Sequence, residues 1–429
     1  MPHKKIIHSV THKTFASLKI RNYRLYFLGQ VISVAGTWMQ TVALGWLVLQ
    51  LTGSGAQLGA VVATAFIPLL IFGPLGGVIA DRFEKHKMLI FTQSALATLA
   101  LSLSILVYSG LTQVWMLYIF AFLYGLVRSV DEPTGQSFVL EMVDESHMKN
   151  AVSLNSMRGN LARAVGPMIA GFLIAGVGIA FCFLFNALSY IAVIWMLLIM
   201  DKSELRRHKV IANRSQTVRD GIRFILANPL IKNTLIMMAI IGTLSYEWQV
   251  SLPLLAQRTF NGDAASYAAL MSSFGVGAVI GGLYAASRHK LSTRNLIMFV
   301  FLFGMSIIAA AMMPTIQLTM LGMVFVGFFS INLTSIANTM VQLESTPEMR
   351  GRVMSFWTVA MMGSTAIGGP IIGLIGEHIG ARWGLLTGGL AALVAVGIAA
   401  YPLLKTNMVK VIPETAEIEE ETPRAEVNG

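Results

Sequence analysis

Apolar runs of about 20 residues recur along almost the whole chain, and each is long enough to cross a bilayer core of roughly 30 Å as a helix. Hydrocarbon offers the backbone no hydrogen-bond partner, so a run inside it must bond within itself. Composition agrees: 55% of residues are hydrophobic and 12% charged, about half the charge of an ordinary soluble domain. The reading is an all-α membrane protein of twelve transmembrane helices, with span cores at 25–50, 56–80, 88–109, 113–130, 156–176, 179–200, 233–256, 266–286, 294–313, 316–340, 353–376 and 383–404.

A net charge of +10 would point to nucleic acid in a soluble protein. Here the bases sit in alternate loops. Lys19, Arg21 and Arg24 precede the first span, Arg82, Lys85 and Lys87 follow the second, and Lys202, Arg206, Arg207 and Lys209 follow the sixth. The loops between, at 109–113, 176–179 and 313–315, carry almost none. Short basic loops stay cytoplasmic. Both termini are therefore expected inside: a segment at 1–24 and an acidic tail at 405–429. Nucleic acid is not an expected partner. The first span is too long for a signal peptide and lacks a small-residue cleavage site, so it is expected to be retained. The single cysteine, Cys182, rules out an intrachain disulfide and reads as packing.

No GxxxxGK[ST] loop exists to bind ATP phosphates, no GxSxG context marks a nucleophile, and the histidines have no metal-ligand spacing. Neither an enzyme nor a cofactor or metal is expected.

The polar stretch 201–232 divides the spans into six-helix halves at 25–200 and 233–404. Within it, Val218, Ile222 and Ile225 recur at helical spacing. They suggest a short amphipathic helix at the inner interface, with a plain connecting loop as the alternative. The halves resemble each other. Met148-Lys149, Gly166-Pro167 and Gly76-Gly77 match Met349-Arg350, Gly369-Pro370 and Gly281-Gly282 at offsets of 201, 203 and 205 residues. Repeated halves place a substrate cavity between them near the midplane.

The loop GGVIADRFEKHK at 76–87 concentrates charge between two apolar runs. Gly76 and Gly77 allow close helix approach, Asp81 can accept charge-assisted hydrogen bonds, and Arg82, Lys85 and Lys87 can anchor the helix end at an anionic leaflet. This loop resembles the signature between helices two and three of the major facilitator superfamily. The opening RNYRLYFLGQVISVAGTWMQTVALGWLVLQLTGS, together with DEPTGQSFVLEMV and NAVSLNS followed by ARAVGP, resembles its drug–proton antiporter branch, which includes enterobactin exporters and macrolide-efflux proteins. The resemblance implies proton-coupled efflux of amphipathic, drug-like small molecules by alternating access, residence in a bacterial inner membrane and a monomer; export of one specific metabolite such as a siderophore, and a non-transporting membrane sensor of the same fold, are the alternatives. It also implies a conformational latch between helices two and eleven formed by Gly77, Asp81, Arg82 and Lys85; a solvated turn whose charges only set topology is the alternative. The run containing Gly166, Pro167 and Gly171 resembles the antiporter motif. Two positions depart from the pattern: Glu84 stands where glycine is usual, and Gly135 near where arginine is common.

Polar groups facing lipid cost free energy. The stripe Gln30, Ser33, Thr37 and Gln40 in span one, Thr243 in span seven, Asn332 in span ten and Thr358 in span eleven are therefore candidates to line the cavity. Interhelical hydrogen bonding is the alternative. Trp38, Trp46, Trp248 and Trp357 could offer apolar faces to a ligand. Charges inside spans are sharper clues, since each costs at least about 2.5 kcal/mol at the bilayer centre. Glu247 is the clearest, on one expected face with Thr243 and Ser251. Asp131 and Glu132 read as the end of span four, and Arg163 as the partner of Asp131. Glu247, Asp131 and Arg163 are the candidates for proton coupling.

Overall fold

A computed structural model describes residues 16–206, 218–288, 290–406 and 409–411. The first half consists of six long helices: α1 (Arg21–Thr52), α2 (Gly55–Arg82), α3 (Lys85–Tyr108), α4 (Val114–Met142), α5 (Glu145–Gly176) and α6 (Ile179–Leu198). A short amphipathic helix, α7 (Val218–Ala227), leads into the second half. There, α8 (Pro229–Leu244) and α9 (Trp248–Leu254) share one broken span that ends in a π-turn at Leu255–Thr259. Next come α10 (Ala264–Ala286), α11 (Thr293–Met312) and α12 (Ile316–Glu344). The eleventh span is again composite: α13 (Pro347–Thr358), a π-turn at Val359–Gly363 and α14 (Thr365–His378). The last span is α15 (Ala381–Thr406).

Among the described residues, eleven segments are long and apolar enough to cross a membrane. The twelfth span is α5, which has 32 residues but carries Asn155, Arg158, Asn160 and Arg163. One departure from an all-helical chain is a two-stranded ribbon, β1 (Lys290–Ser292) antiparallel to β2 (Val409–Val411).

Local chemistry sets the helix ends. Gly53 closes α1 with φ 62°, a left-handed conformation that glycine adopts without strain. Asn228 starts α8 by accepting the amides of Leu230 and Ile231, with Pro229 in the first turn, where its missing N–H costs nothing. Asp144 caps α5: the His147 side chain, the Ser146 hydroxyl and the His147 amide all bond its carboxylate. They hold its pKa down to about 2.

Two spans run past their expected ends. The fourth reaches Met142 rather than 130 because its acids find partners inside the bundle. Thr92 and Gln93 of α3 donate to Asp131 at 2.5 and 3.0 Å, and Arg128 pairs with Glu132 one turn on. The fifth begins at Glu145 rather than 156.

Within each half neighbouring helices pack side by side: α2 on α4, α3 on α6 and α1 on α5 and α6 in the first; α10 on α12, α11 on α15 and α8 on α15 in the second. The halves meet along two related seams, α5 against α10 and α2 against α14. The matching Gly-Pro pairs lie on α5 and α14, one in each seam, as the internal repeat requires. Both seams are lined by small residues. A Cβ on Gly59 would collide with the carbonyl of Gly369, and one on Gly275 with the backbone of Ala164. Gly171 lies against Ala268, while Gly166 brings α5 onto α1 at Ala35 and Trp38.

The basic loops lie at one end of the bundle. The chain ends described here lie there too: Ser17 bonds His147 and Asn150, and β2 pairs with the α10–α11 loop. At this end, Lys85 does not face a lipid surface or the eleventh span. It is buried and pairs with Glu141 of α4 at 2.8 Å, which ties α3 to α4 within one half. α2 carries Gly77, Asp81 and Arg82, but their side chains lie outside the described ones. Glu84 pairs with Lys87 at 3.0 Å. A side chain at Gly135 would meet the Tyr26 hydroxyl at 2.8 Å, which leaves no room for an arginine without movement.

At the opposite end a polar clasp joins the halves. Glu377 of α14 accepts from the Ser54 hydroxyl at 2.6 Å and from the Ala56 amide at 2.7 Å, so it caps the N-terminus of α2 from the other half. An anion there complements the helix dipole. Arg258 donates to the carbonyls of Gly53 at 2.6 Å and Glu377 at 3.2 Å.

Glu141→Gln leaves the Lys85 ammonium buried with no counter-charge, which costs about 3 kcal/mol. Thermal unfolding in detergent is expected to shift down, with Lys85→Met/Glu141→Leu recovering part of the loss. Glu377→Gln weakens the clasp. With Cys182 replaced by alanine and a cysteine put at the buried Ala63, thiol labelling from the clasp end should speed up about tenfold, as expected for loss of a charge-assisted contact of about 1.5 kcal/mol.

Candidate functional site

The break in the seventh span builds the site. After Leu244 the helix stops; Ser245, Tyr246 and Glu247 connect it to α9. Side chains hold this linker. Ser245 donates to the Gly388 carbonyl at 2.6 Å, and the Tyr246 hydroxyl bonds that of Ser330 at 2.7 Å. Pro253 and the following π-turn relax the rest of the span, since proline removes a helix hydrogen bond. Broken helices in transporters place polar groups at a cavity where backbone irregularity is tolerated.

Glu247 lies at this break and is 2% exposed. It falls inside the apolar segment Pro229–Thr259, not at an outer surface. Neither carboxyl oxygen has a donor in good hydrogen-bond geometry among the described residues, and the Thr365 hydroxyl is near enough to interact. Gly368 and Gly369 of α14 leave the space that the carboxyl group fills. The break removes the common helical face expected for Thr243, Glu247 and Ser251. Thr243 bonds back to Ala239 at 2.7 Å, and Ser251 to the Glu247 carbonyl at 2.9 Å.

Glu247 lines a cavity of about 130 Å³ between the halves. The first half contributes Trp38, Phe66 and Arg163; the second contributes Tyr246, Trp248, Gln249, Phe274, Thr365 and several methionines. Aromatic contacts stiffen the second-half wall: Trp248 lies 5.2 Å from Phe274 and 6.1 Å from Tyr246, ring centre to ring centre. Methionine walls are adaptable and polarisable. A smaller cavity of about 70 Å³ lies among α1 to α4, and its walls include Gln40 and Arg128. Gln249 borders both.

Arg163 does not pair with Asp131. Its guanidinium lies over the rings of Trp38, at 5.2 Å, and Phe274, at 6.0 Å. Asp131 has its own donors on α3, which satisfy it within the first half. The structure thus brings Glu247 and Arg163 to one cavity and leaves Asp131 elsewhere.

The polar stripes serve mostly as contacts between helices. Gln40 accepts from Asn186 at 2.7 Å, and Thr37 bonds Tyr190 at 3.2 Å, both across the α1–α6 contact. Gln30 and Ser33 are buried on α1. Asn332 is wholly buried and bonded to Arg288 and to the Gly281 carbonyl. Thr358 bonds back to Met354. None of these six lines the central cavity, and Gln40 alone among them reaches the smaller one. Hydropathy marks each residue as polar but does not say which neighbour faces it. Trp38 and Trp248 do line the cavity, whereas Trp46 is packed in the core. Gln249 and Tyr246 were missed; their signal is adjacency to an isolated acid.

Comparison with known proteins agrees with this architecture. A family model described as transmembrane secretion effector matches residues 12–425. The staphyloferrin A transporter of Staphylococcus aureus is 24% identical over 77% of this chain and 84% of its own length. The enterobactin exporter EntS of Shigella boydii is 24% identical over 82% and 85%. Among solved structures, a bacterial homolog of the human lysosomal transporter Spinster, inward-facing and unoccupied, superposes with a TM-score of 0.71 at 12% identity, covering 90% of this chain and 98% of that one. The chain is a multi-pass membrane transporter and belongs to the transmembrane secretion effector family of the major facilitator superfamily.

Proposed function

We propose that this transporter exports an amphipathic small molecule by alternating access, coupled to protons that enter against it. A siderophore is the substrate class favoured over a drug-like compound, because two of the relatives are named for siderophores. The observation that carries the reading is Glu247: an acid without a good donor, buried at a helix break in a cavity that both halves line. Burial disfavours the charged form of a carboxyl group, so proton binding there is tied to what else fills the cavity. Antiport requires substrate and proton to exclude each other, and a ligand donating to ionised Glu247 meets that requirement. Moving one charge through 100 mV supplies about 2.3 kcal/mol, or about fiftyfold accumulation.

The glycine-lined seams support rocking of one half on the other. The basic loops support a cytoplasmic location for both termini in a bacterial inner membrane. The functional unit is a monomer, since both walls of the cavity come from one chain.

The test uses purified protein in liposomes with an imposed pH gradient, a panel of siderophores, dyes and macrolides, and a record of internal pH. Substrate-triggered proton movement is expected with siderophores, falling to the leak of protein-free liposomes in Glu247→Gln. Unchanged movement in that variant transfers the carrier role to another acid, first Asp131. No movement with any compound removes the export reading.

A further inference from the structure

Arg163 has an unusual position among the arginines of this protein. Three others also lie over aromatic rings: Arg128 over Tyr124, Arg288 over Tyr284 and Phe299, and Arg382 over Phe260. Each of those also has an acceptor: Arg128 pairs with Glu132, Arg288 donates to Asn332, and Arg382 donates to the Ala311 carbonyl at 3.2 Å. Among the described residues Arg163 has rings but no acceptor. Its Nε is buried without a partner, and among the described residues no carboxylate lies within ion-pair reach of it. Arg158 on the same helix also has unpartnered nitrogens, but it does not line the cavity.

The ring contacts decide what Arg163 can bind. Trp38 and Phe274 lie against the guanidinium, and cation–π contact engages its faces while leaving its in-plane N–H fork available. That fork matches two oxygens of an anion in bidentate geometry. The rings keep the site apolar, which strengthens a charged contact made there. When ionised, Glu247 repels an anion from the other part of the wall, so an acid group belongs on the Arg163 side.

We propose that the cavity recognises a ligand bearing an acidic oxygen group on a flat apolar frame, with Arg163 as the anion receptor and Trp38 and Phe274 as its platform. This rests on the reading of the cavity as the transport site and adds the class of substrate that it selects. Glu247 then faces the part of the ligand that carries hydrogen-bond donors, so one molecule touches both halves.

The test is equilibrium dialysis of the full chain in lipid nanodiscs, with empty nanodiscs subtracted. The probes are radiolabelled 2-naphthoate and its neutral amide, which share one frame and differ in charge. Wild type is expected to bind the carboxylate at least about tenfold more tightly than the amide, the scale of one charge-assisted contact. Arg163→Gln should bring the two affinities together while leaving amide binding in place. Arg163→Lys should retain a smaller preference, since lysine keeps the charge but loses the fork. Equal binding of the two probes by wild type overturns the proposal, and so does a preference that survives in Arg163→Gln. If Arg163→Gln does not fold, Arg163→Lys decides: an undiminished preference overturns the proposal. Liposome flux separates this result from the export reading. A carboxylate preference without siderophore flux removes export and leaves the receptor; flux without the preference removes the receptor and leaves export.

Discussion

Two halves of one chain touch along seams where backbone meets backbone. At Gly59 and Gly369, and again at Gly275 and Ala164, no side chain separates the helices. In lipid, association gains little from burying apolar surface, because the solvent is equally apolar; close van der Waals packing takes over. Small residues give a tight but smooth contact, without large interlocking side chains that would have to unseat before the halves could shift. The cavity, the clasp and the placement of charge all depend on this arrangement. Side chains too large for a seam are displaced to its margins, where they surround a space that neither half encloses alone.

What fills that space follows from how the chain satisfies its polar groups. Most intramembrane polar residues are consumed locally: Asp131 by Thr92 and Gln93, Gln40 by Asn186, Asn332 by Arg288. These contacts rigidify each half and hold those groups away from the central cavity. Glu247 and Arg163 escape this fate for different reasons. Glu247 lies where the helix has stopped, among glycines that offer no side-chain donor. Arg163 is flanked by rings, which engage a cation without occupying its N–H groups. These two charged residues of the central cavity therefore come from opposite halves.

Much of this was legible in the sequence. Run lengths specified the spans, because the bilayer sets one length for all of them, and the matched Gly-Pro pairs pointed to the repeat. Glu247 and Arg163 stood out because isolated charges in apolar runs are costly. Other features depended on distant partners. The break before Trp248 has no proline or glycine at its linker; Ser245 and Tyr246 hold it by bonding Gly388 and Ser330, far along the chain. The sequence alone implies that span four ends at Asp131, because an acid without a visible partner looks like a water-facing residue. From the α1 stripe, Thr37 and Gln40 bond to α6, and of the stripe only Gln40 reaches a cavity, the smaller one. Lys85 looked like a lipid anchor for the same reason: its carboxylate, Glu141, lies 56 positions away.

The short ribbon between β1 and β2 couples the segment Val409–Val411 to the motion of the second half. It fastens the segment after α15 to the loop between α10 and α11, so that end travels with the second half. The turn at Ala16–Lys19 is fastened by Ser17 to the start of α5 and travels with the first. Each half thus carries one end of the described chain as a fixed pointer, both on the basic side of the bundle. The separation of the two pointers is a gauge of the angle between the halves, built into the fold and readable without touching the cavity.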